Sequence, residues 1–418
     1  MPKINRIFGR EILDSRSNPT LEVIAILEDG SFGMSSVPSG TSTGTSEAVE
    51  LRDGDNTRYF GKGMLKAAGN VNNVINKAIA GQSFNSTLDL DQFLIRLDGT
   101  PNKANLGANA ILGVSMAFTK ALALSSKLPL YKYIAMLSDN KNKLFIPIPV
   151  FNMINGGKHG AGNLDFQEFH VMPSRKGTFA SMLETGVEIY QTIKKLLSRR
   201  GAIHSVGDEG GFAPNLFTNL DALEILVESI TECHKKPTVD VELGLDVAAN
   251  SFFNDGKYTI KDRSSPMDAG DFIDYLRDLN SQYHLRLLED PLTEDDWKNW
   301  SNLTQELGAN TTIVGDDLLV TNKDRVVKAI NEKSCNGIII KPNQIGTVSE
   351  TIAVVKQARA ANWKINVSHR SGETVDTFIA DFAVGVGSDY AKFGAPARGE
   401  RVVKYNRFLA IENELGIV

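Results

Sequence analysis

The chain is poor in cysteine, with two in 418 residues, Cys233 and Cys335. Two thiols cannot build a disulfide framework, and these two lack metal-finger spacing, so a reducing compartment is expected. A long apolar run is missing too. No stretch approaches the ~20 apolar residues that a membrane span requires. The N-terminus, Met1-Pro2-Lys3-Ile4-Asn5, soon meets Glu11 and Asp14 and does not read as a signal peptide. Charge of one sign does not dominate. With 45 basic and 50 acidic residues the formal net charge is −5, which argues against nucleic acid as the main ligand. A small cationic pocket for an anionic substrate stays compatible with that balance. The expectation is a soluble cytoplasmic protein without a membrane span.

What is present is the mix of a folded protein with a large core: 42% hydrophobic and 23% charged residues. The length exceeds one ordinary domain, which suggests two domains, or a small domain plus a barrel. Thr20 to Leu27 reads as a half-buried strand closed by a turn at Asp29-Gly30. Pro38 to Gly44 is rich in Ser, Thr and Gly and reads as a mobile loop. From about 62 to 135 the pattern is helical, with a closely packed segment at Ala108 to Val114. A polar stretch between Leu137 and Phe145 marks the boundary. It divides an N-terminal α+β domain, 1–137, from a C-terminal unit, 138–418.

In the C-terminal unit one pattern recurs: a short apolar run, a charged residue, then a helical stretch. The runs end at Asp246, Glu289, Asp316, Lys341 and His369, and the last four ends are 25 to 28 residues apart. Alternating strands and helices predict a parallel sheet, and so much repetition suggests a closed β/α barrel. Active sites of such barrels lie at the C-terminal strand ends, where these charges fall.

Asp246, Glu289 and Asp316 are hard oxygen donors that would repel one another without a cation, a donor set suited to Mg²⁺. Against that, each acid singly is more often an exposed loop charge. Lys341 follows Gly337 to Ile340, so its stem should be buried; burial and nearby cations would depress its pKa and fit it as a base. A salt bridge to a barrel acid is the competing role. Gly207-Asp208-Glu209-Gly210-Gly211 is a tight turn that could present Glu209 as a general acid, although such turns are common. His159, after Asn155-Gly156-Gly157-Lys158, is by itself more often structural. Ser368-His369-Arg370-Ser371-Gly372-Glu373 brings an arginine fork and hydroxyls to a strand end, and a helix starting at Glu373 would aim backbone donors at the same anion. Lys392 supplies another cation at the last strand end. One reaction uses all these parts: a base removes the weakly acidic proton beside a carboxylate, cations hold the resulting enolate, and an acid on the opposite side expels hydroxide.

At this point the residues are similar to a known family along the whole chain. The runs include Asp14 to Thr20, Ser39 to Gly44, Leu106 to Val114, Asn155 to His159, Gln167-Glu168-Phe169 and Gly207 to Asn215. Others are Glu289-Asp290-Pro291, Asp316-Asp317-Leu318, Lys341 to Thr347 and Ser368 to Glu373. They resemble the enolase family. The resemblance implies a small N-terminal α+β domain followed by an eight-stranded β/α (TIM-like) barrel with an irregular start. It implies a hydro-lyase that interconverts 2-phosphoglycerate and phosphoenolpyruvate in glycolysis or gluconeogenesis, with two Mg²⁺ per site. In that pattern Asp246, Glu289 and Asp316 hold the first ion, and Ser42 reaches the second. Lys341 is the base and Glu209 the acid, with Glu168 beside it. Gln167 belongs with the substrate-binding residues. His159 lies in a second closing loop, His369 lines the site, Arg370 and Ser371 contact phosphate, and Lys392 contacts carboxylate. A homodimer, or a larger ring of dimers, also follows from the resemblance. Family members can also appear at the cell surface.

The sequence departs from the family pattern at Ser17, Thr41, Gly160, Asn250-Ser251, Phe393 and Gly399, none of which carries an assigned role. Thr41 and Gly160 sit in the two closing loops and bear on turnover. Two alternatives compete. Another acid dehydratase or cycloisomerase of the wider superfamily would carry Lys-x-Lys on an early barrel strand, which is not found at a strand end here. An enolase-like binding protein would have lost a metal ligand or the base, and all are present.

Overall fold

The computed structural model describes residues 2–40, 47–160 and 164–417. Thr41 and Ser42 therefore lie outside the described residues. The chain opens with an antiparallel meander, β1 (Ile4–Leu13), β2 (Pro19–Leu27) and β3 (Phe32–Ser36), in that order. Gly30, at φ 85°, makes the β2–β3 turn that the Asp-Gly pair signals. The strand expected to be half-buried has one face in the core, and its other face is covered at Thr20 and Glu22 and partly open at Ile24 and Ile26. Leu21, Val23, Ala25 and Leu27 face the apolar core, while on the other side Glu22 is capped by Arg10 at 2.6 Å and Ser36 at 3.3 Å.

Helix α1 (Thr87–Asp98) starts where Ser86 accepts from Asp89 N at 3.2 Å, and stops at Gly99, at φ 74°. Helix α2 (Ala108–Ser125) is the core of this half. Its small residues let it lie directly on the sheet: a Cβ at Gly113 would come within 2.6 Å of Val23. This helix corrects the sequence reading, because its 18 residues are long and apolar enough to cross a membrane. It is instead 83% buried inside the protein, and interior position explains its composition. Helix α3 (Leu130–Leu137) ends the helical stretch.

Eight strands then close a barrel: β4 (Ile148–Asn155), β5 (Glu168–Pro173), β6 (Val241–Asp246), β7 (Leu287–Glu289), β8 (Thr312–Gly315), β9 (Gly337–Ile340), β10 (Lys364–Ser368) and β11 (Tyr390–Lys392). Their order around the ring is β8-β9-β10-β11-β4-β5-β6-β7. The fold is thus a small α+β domain followed by an eight-stranded barrel. The expectation of a purely parallel sheet needs one correction. Strand β5 is antiparallel to both β4 and β6. Among the described residues between β4 and β5 there is no crossover helix, and a strand that returns directly must run the opposite way. The result matters for the site: Glu168, the first residue of β5, lands on the same rim as Asp246, the last residue of β6, and the two are register partners.

Val150, Met172, Leu287, Val314, Ile339 and Tyr390 fill the barrel's interior below that rim. Burying such a side chain fully is worth ~1.5–3 kcal/mol, and the plug gives the polar rim above it a firm floor. The N-terminal domain is pinned to the barrel by polar contacts. Asp91 accepts from Ser349 N at 2.9 Å, Lys120 pairs with Asp376 at 2.8 Å, and Ser39 exchanges backbone hydrogen bonds with Gly372 at 2.8 and 2.9 Å. The last of these brings the N-terminal loop segment over the barrel mouth.

Candidate active site

The strand ends converge on one cleft, with an empty volume of about 760 Å³, part of it open to solvent. His159, Gln167, Glu168, Glu209, Asp246, Asp316, Lys341, His369, Arg370, Ser371 and Lys392 all line it. Glu289, the remaining acid of the expected triad, lies just beneath and is fully buried.

Lys392 occupies the centre of the acids. Its ammonium lies 2.7 and 2.8 Å from the two Glu289 oxygens, 3.3 Å from Asp246 and 3.2 Å from Glu168. Burial opposes its charge, but these carboxylates together hold its pKa well above the ordinary lysine value. One cation cannot neutralise them all. Burial first, and then the Asp246 carboxylate, push Glu289 well above the usual range, and Asp246 is raised mainly by burial. Gln167 donates to Asp246 at 3.2 Å and Gln344 to Asp316 at 3.3 Å.

Lys341 differs from its expected state. Its ammonium is paired with Asp316, which is the competing role considered above. Burial, Arg370 and Lys392 do act to lower its pKa, but the surrounding carboxylates, Asp316 foremost and Glu289 with it, prevail and the net shift is upward. Asp316 is correspondingly lowered, Lys341 and Lys392 overcoming the effect of burial. Breaking the Asp316 pairing is therefore a condition for Lys341 to act as a base.

On the other side of the cleft runs a chain of alternating histidines and glutamates. His170 Nε2 lies 2.8 Å from Glu168, Glu168 lies 3.2 Å from His159 Nδ1, and His159 lies 3.6 Å from Glu209. Glu209 in turn is 3.2 Å from His369 Nε2 and accepts from Asn152 at 3.0 Å. Burial and Glu168 would raise the pKa of Glu209, but His369 and His159 prevail and hold it at about 2. Glu209 is thus ionised here, the form that activates water in a hydration. A dehydration needs it protonated. Gly160 allows the loop that carries His159 to take this shape, because a Cβ there would lie 2.4 Å from Asn155 O.

The expected helix start at Glu373 is not found. Helix α10 runs Phe378–Gly385, helices α4 to α9 being Phe179–Arg199, Asn219–Glu232, Ala269–Tyr283, Trp297–Leu307, Lys323–Glu332 and Val348–Ala360. Glu373 folds back to accept from Arg370 N at 3.2 Å, and Asp376, drawn to Lys120, accepts from Phe378 N at 2.7 Å. The helix's free N–H groups therefore open at residue 378, past the site. Arg370 instead reaches Glu47 at 3.3 Å and Asn343 at 3.1 Å.

Sequence reasoning missed Glu47, Asn152, His170, Asp290, Gln344 and Arg401. Asp290 accepts from the backbone N of Asp316 and Asp317, at 2.9 and 2.8 Å, and so fixes the turn that presents Asp316. Its adjacency to Glu289 was the available signal. His170 was findable too, two places from Glu168 on a strand and hence on the same face.

Whether a cation fits can be judged from the donors. The cleft is lined by seven acids against four lysine or arginine side chains, before any anionic substrate enters. The donors are buried carboxylate oxygens that raise one another's pKa, and these suit a hard divalent cation. Among the described residues, carboxylate and imidazole ligand atoms gather within 4.8 Å in two places, His159–Glu168–Glu209 and Asp290–Asp316–Asp317. The expected triad of Asp246, Glu289 and Asp316 is not one of those groups, and Lys392 lies on two of its members.

A two-domain chain whose barrel carries acids and lysines along one rim is built as a lyase-type enzyme of the enolase superfamily. Residues 4–134 match the family described as enolase, N-terminal domain, and residues 143–418 match enolase, C-terminal TIM barrel domain. The chain belongs to the enolase family.

Proposed function

We propose that the protein is a phosphopyruvate hydratase, which reversibly removes water from 2-phospho-D-glycerate to give phosphoenolpyruvate. The observation that carries this reading is the placement of base and acid. Lys341 follows β9 and Glu168 opens β5, and these strands stand four apart, hence opposite, in a ring of eight. Glu209 joins Glu168 on that far wall through His159.

In the forward direction Lys341 Nζ takes the proton from C2. The C3–O bond breaks, the departing hydroxide takes a proton from Glu209, and a C2–C3 double bond remains. In the reverse direction ionised Glu209 accepts a proton from water as its oxygen adds to C3, and Lys341 returns its proton to C2. Arg370, a planar fork of donors, and Ser371 orient the phosphate, and His159 helps exclude water from the acid side. Asp246, Glu289 and Asp316, with Ser42 from the N-terminal loop, would hold Mg²⁺, and the bound cation would supply positive charge where negative charge grows on the substrate.

The test is ultraviolet absorbance of the purified protein with 2-phosphoglycerate, with Mg²⁺ and then with EDTA, since only the product has a conjugated enol. A Mg²⁺-dependent rise is expected. No rise from folded protein in either condition would overturn the reading.

A further inference from the structure

Helix α11 (Gly399–Glu414) carries Arg401, a fully buried arginine that sequence reasoning gave no role. Its Nε lies 3.4 Å from Glu400, and its two Nη atoms make four further contacts. Nη1 reaches His369 Nδ1 at 2.8 Å and donates to Arg370 O at 2.7 Å; Nη2 donates to Ser371 O at 2.6 Å and to Asp208 O at 3.1 Å. Arginine has five donors, no acceptor and a permanent charge. The contact with His369 therefore has one sense only: arginine donates and Nδ1 accepts through its lone pair. A neutral imidazole with a bare Nδ1 must carry its proton on Nε2. Adding a second proton would set an N–H against the guanidinium, in a place where His369 is 2% exposed. Nε2 faces Glu209 Oε2 at 3.2 Å, off the line of a well-formed bond, as is common before substrate arrives.

We propose that Arg401 is a positioning residue that sets the tautomer of His369 and so directs its single N–H toward Glu209. This rests on the acid role proposed for Glu209. Its consequence is directional. A His369 already protonated at Nε2, with Nδ1 occupied by Arg401, cannot take a proton from Glu209. A protonated Glu209 then loses no proton sideways into His369 and keeps it for the hydroxide leaving C3. The same arginine ties the Asp208 carbonyl to those of Arg370 and Ser371, so one side chain also sets the spacing between the acid-bearing turn and the anion-binding segment.

The experiment reads histidine tautomers by ¹⁵N NMR in the free protein, with the His369 signals assigned by their loss in His369→Gln. In the unaltered protein His369 should be neutral, with Nε2 protonated and Nδ1 bare. Arg401→Gln, whose amide can donate or accept, and Arg401→Met, which does neither, should give mixed tautomers or Nδ1–H, with kcat down ~100-fold and KM changed less than about threefold. A wild-type His369 that is Nδ1-protonated or doubly protonated overturns the proposal, whether or not the variants fold. So does a folded Arg401 variant that loses kcat yet keeps the Nε2–H tautomer, which would mark Arg401 as a clamp on the carbonyls only. An inactive wild type that shows the expected tautomer overturns the dehydration reading and the catalytic consequence, but not the pairing, so the two failures are told apart.

Discussion

Replacing Lys341 separates a base from a counter-ion, because the structure gives this residue both positions. Its ammonium pairs with Asp316, and Lys392 and Arg370 also bear on that carboxylate. Breaking a buried pair by removing one partner costs ~3–5 kcal/mol. Lys341→Ala should fall at or below the low end of that range, because the side chains are 13% and 11% exposed and Asp316 keeps two other cations nearby. The chemical loss is separate: a missing general base costs ~10²–10⁴ in rate, or ~3–5 kcal/mol of barrier at 1.36 per tenfold. The assay is exchange of the C2 proton of 2-phosphoglycerate in deuterated water, followed by NMR, which reports proton removal without requiring dehydration. Exchange and turnover should fall together by at least ~10². Lys341→Arg is the decisive companion, since it restores the charge beside Asp316 but cannot deprotonate. If Lys341 is the base, the arginine variant is as inactive as the alanine one. Exchange at the normal rate in folded Lys341→Ala, or recovery in Lys341→Arg, would refute the reasoning and leave Lys341 as a counter-ion.

Glu209→Gln should slow dehydration ~10²–10⁴-fold while C2 exchange stays measurable; equal loss of both contradicts the acid role. Gly160→Ala should lower kcat/KM ~10–100-fold by displacing the loop that places His159, since its Cβ would meet Asn155 O at 2.4 Å; unchanged kinetics would show that the loop relaxes without effect. Asp91, fully buried at the domain contact, has its pKa pushed by burial from 3.8 to about 6. A carboxyl raised in this way favours folding in its protonated form, so its contribution is complete below pH 3.8 and is lost as the pH rises through 6. That loss is about 3 kcal/mol at most over the whole window, of which about 1.4 kcal/mol falls between pH 5 and pH 7.5, and denaturation midpoints of Asp91→Asn at those two pH values should lack it. The same decline in the variant as in the parent protein would assign it elsewhere.

The barrel was readable in the sequence because its signals are local. An apolar run that ends in a charged residue specifies a strand and the end it presents, and repetition of that unit specifies the sheet. Thus Asp246, Glu289, Asp316 and Lys341 could be placed at strand ends, and each lies there. The Asp29-Gly30 turn was local in the same sense. The helix start at Glu373 was misread because Asp376 is claimed by Lys120, which lies 256 positions away.

What the sequence by itself determined is therefore the inventory: which acids, lysines and histidines exist and which strand end each follows. Tertiary structure alone decided how they meet. The reversed β5 put Glu168 on the catalytic rim, ring closure set Lys392 among three carboxylates, and Asp316 claimed the ammonium of Lys341. Arg401 met His369 Nδ1 and the Asp208 carbonyl, the latter 193 positions distant. The reason is physical. Strand and helix periods act over a few residues, whereas protonation state and tautomer depend on charges within a few ångströms, and only the closed barrel sets those distances.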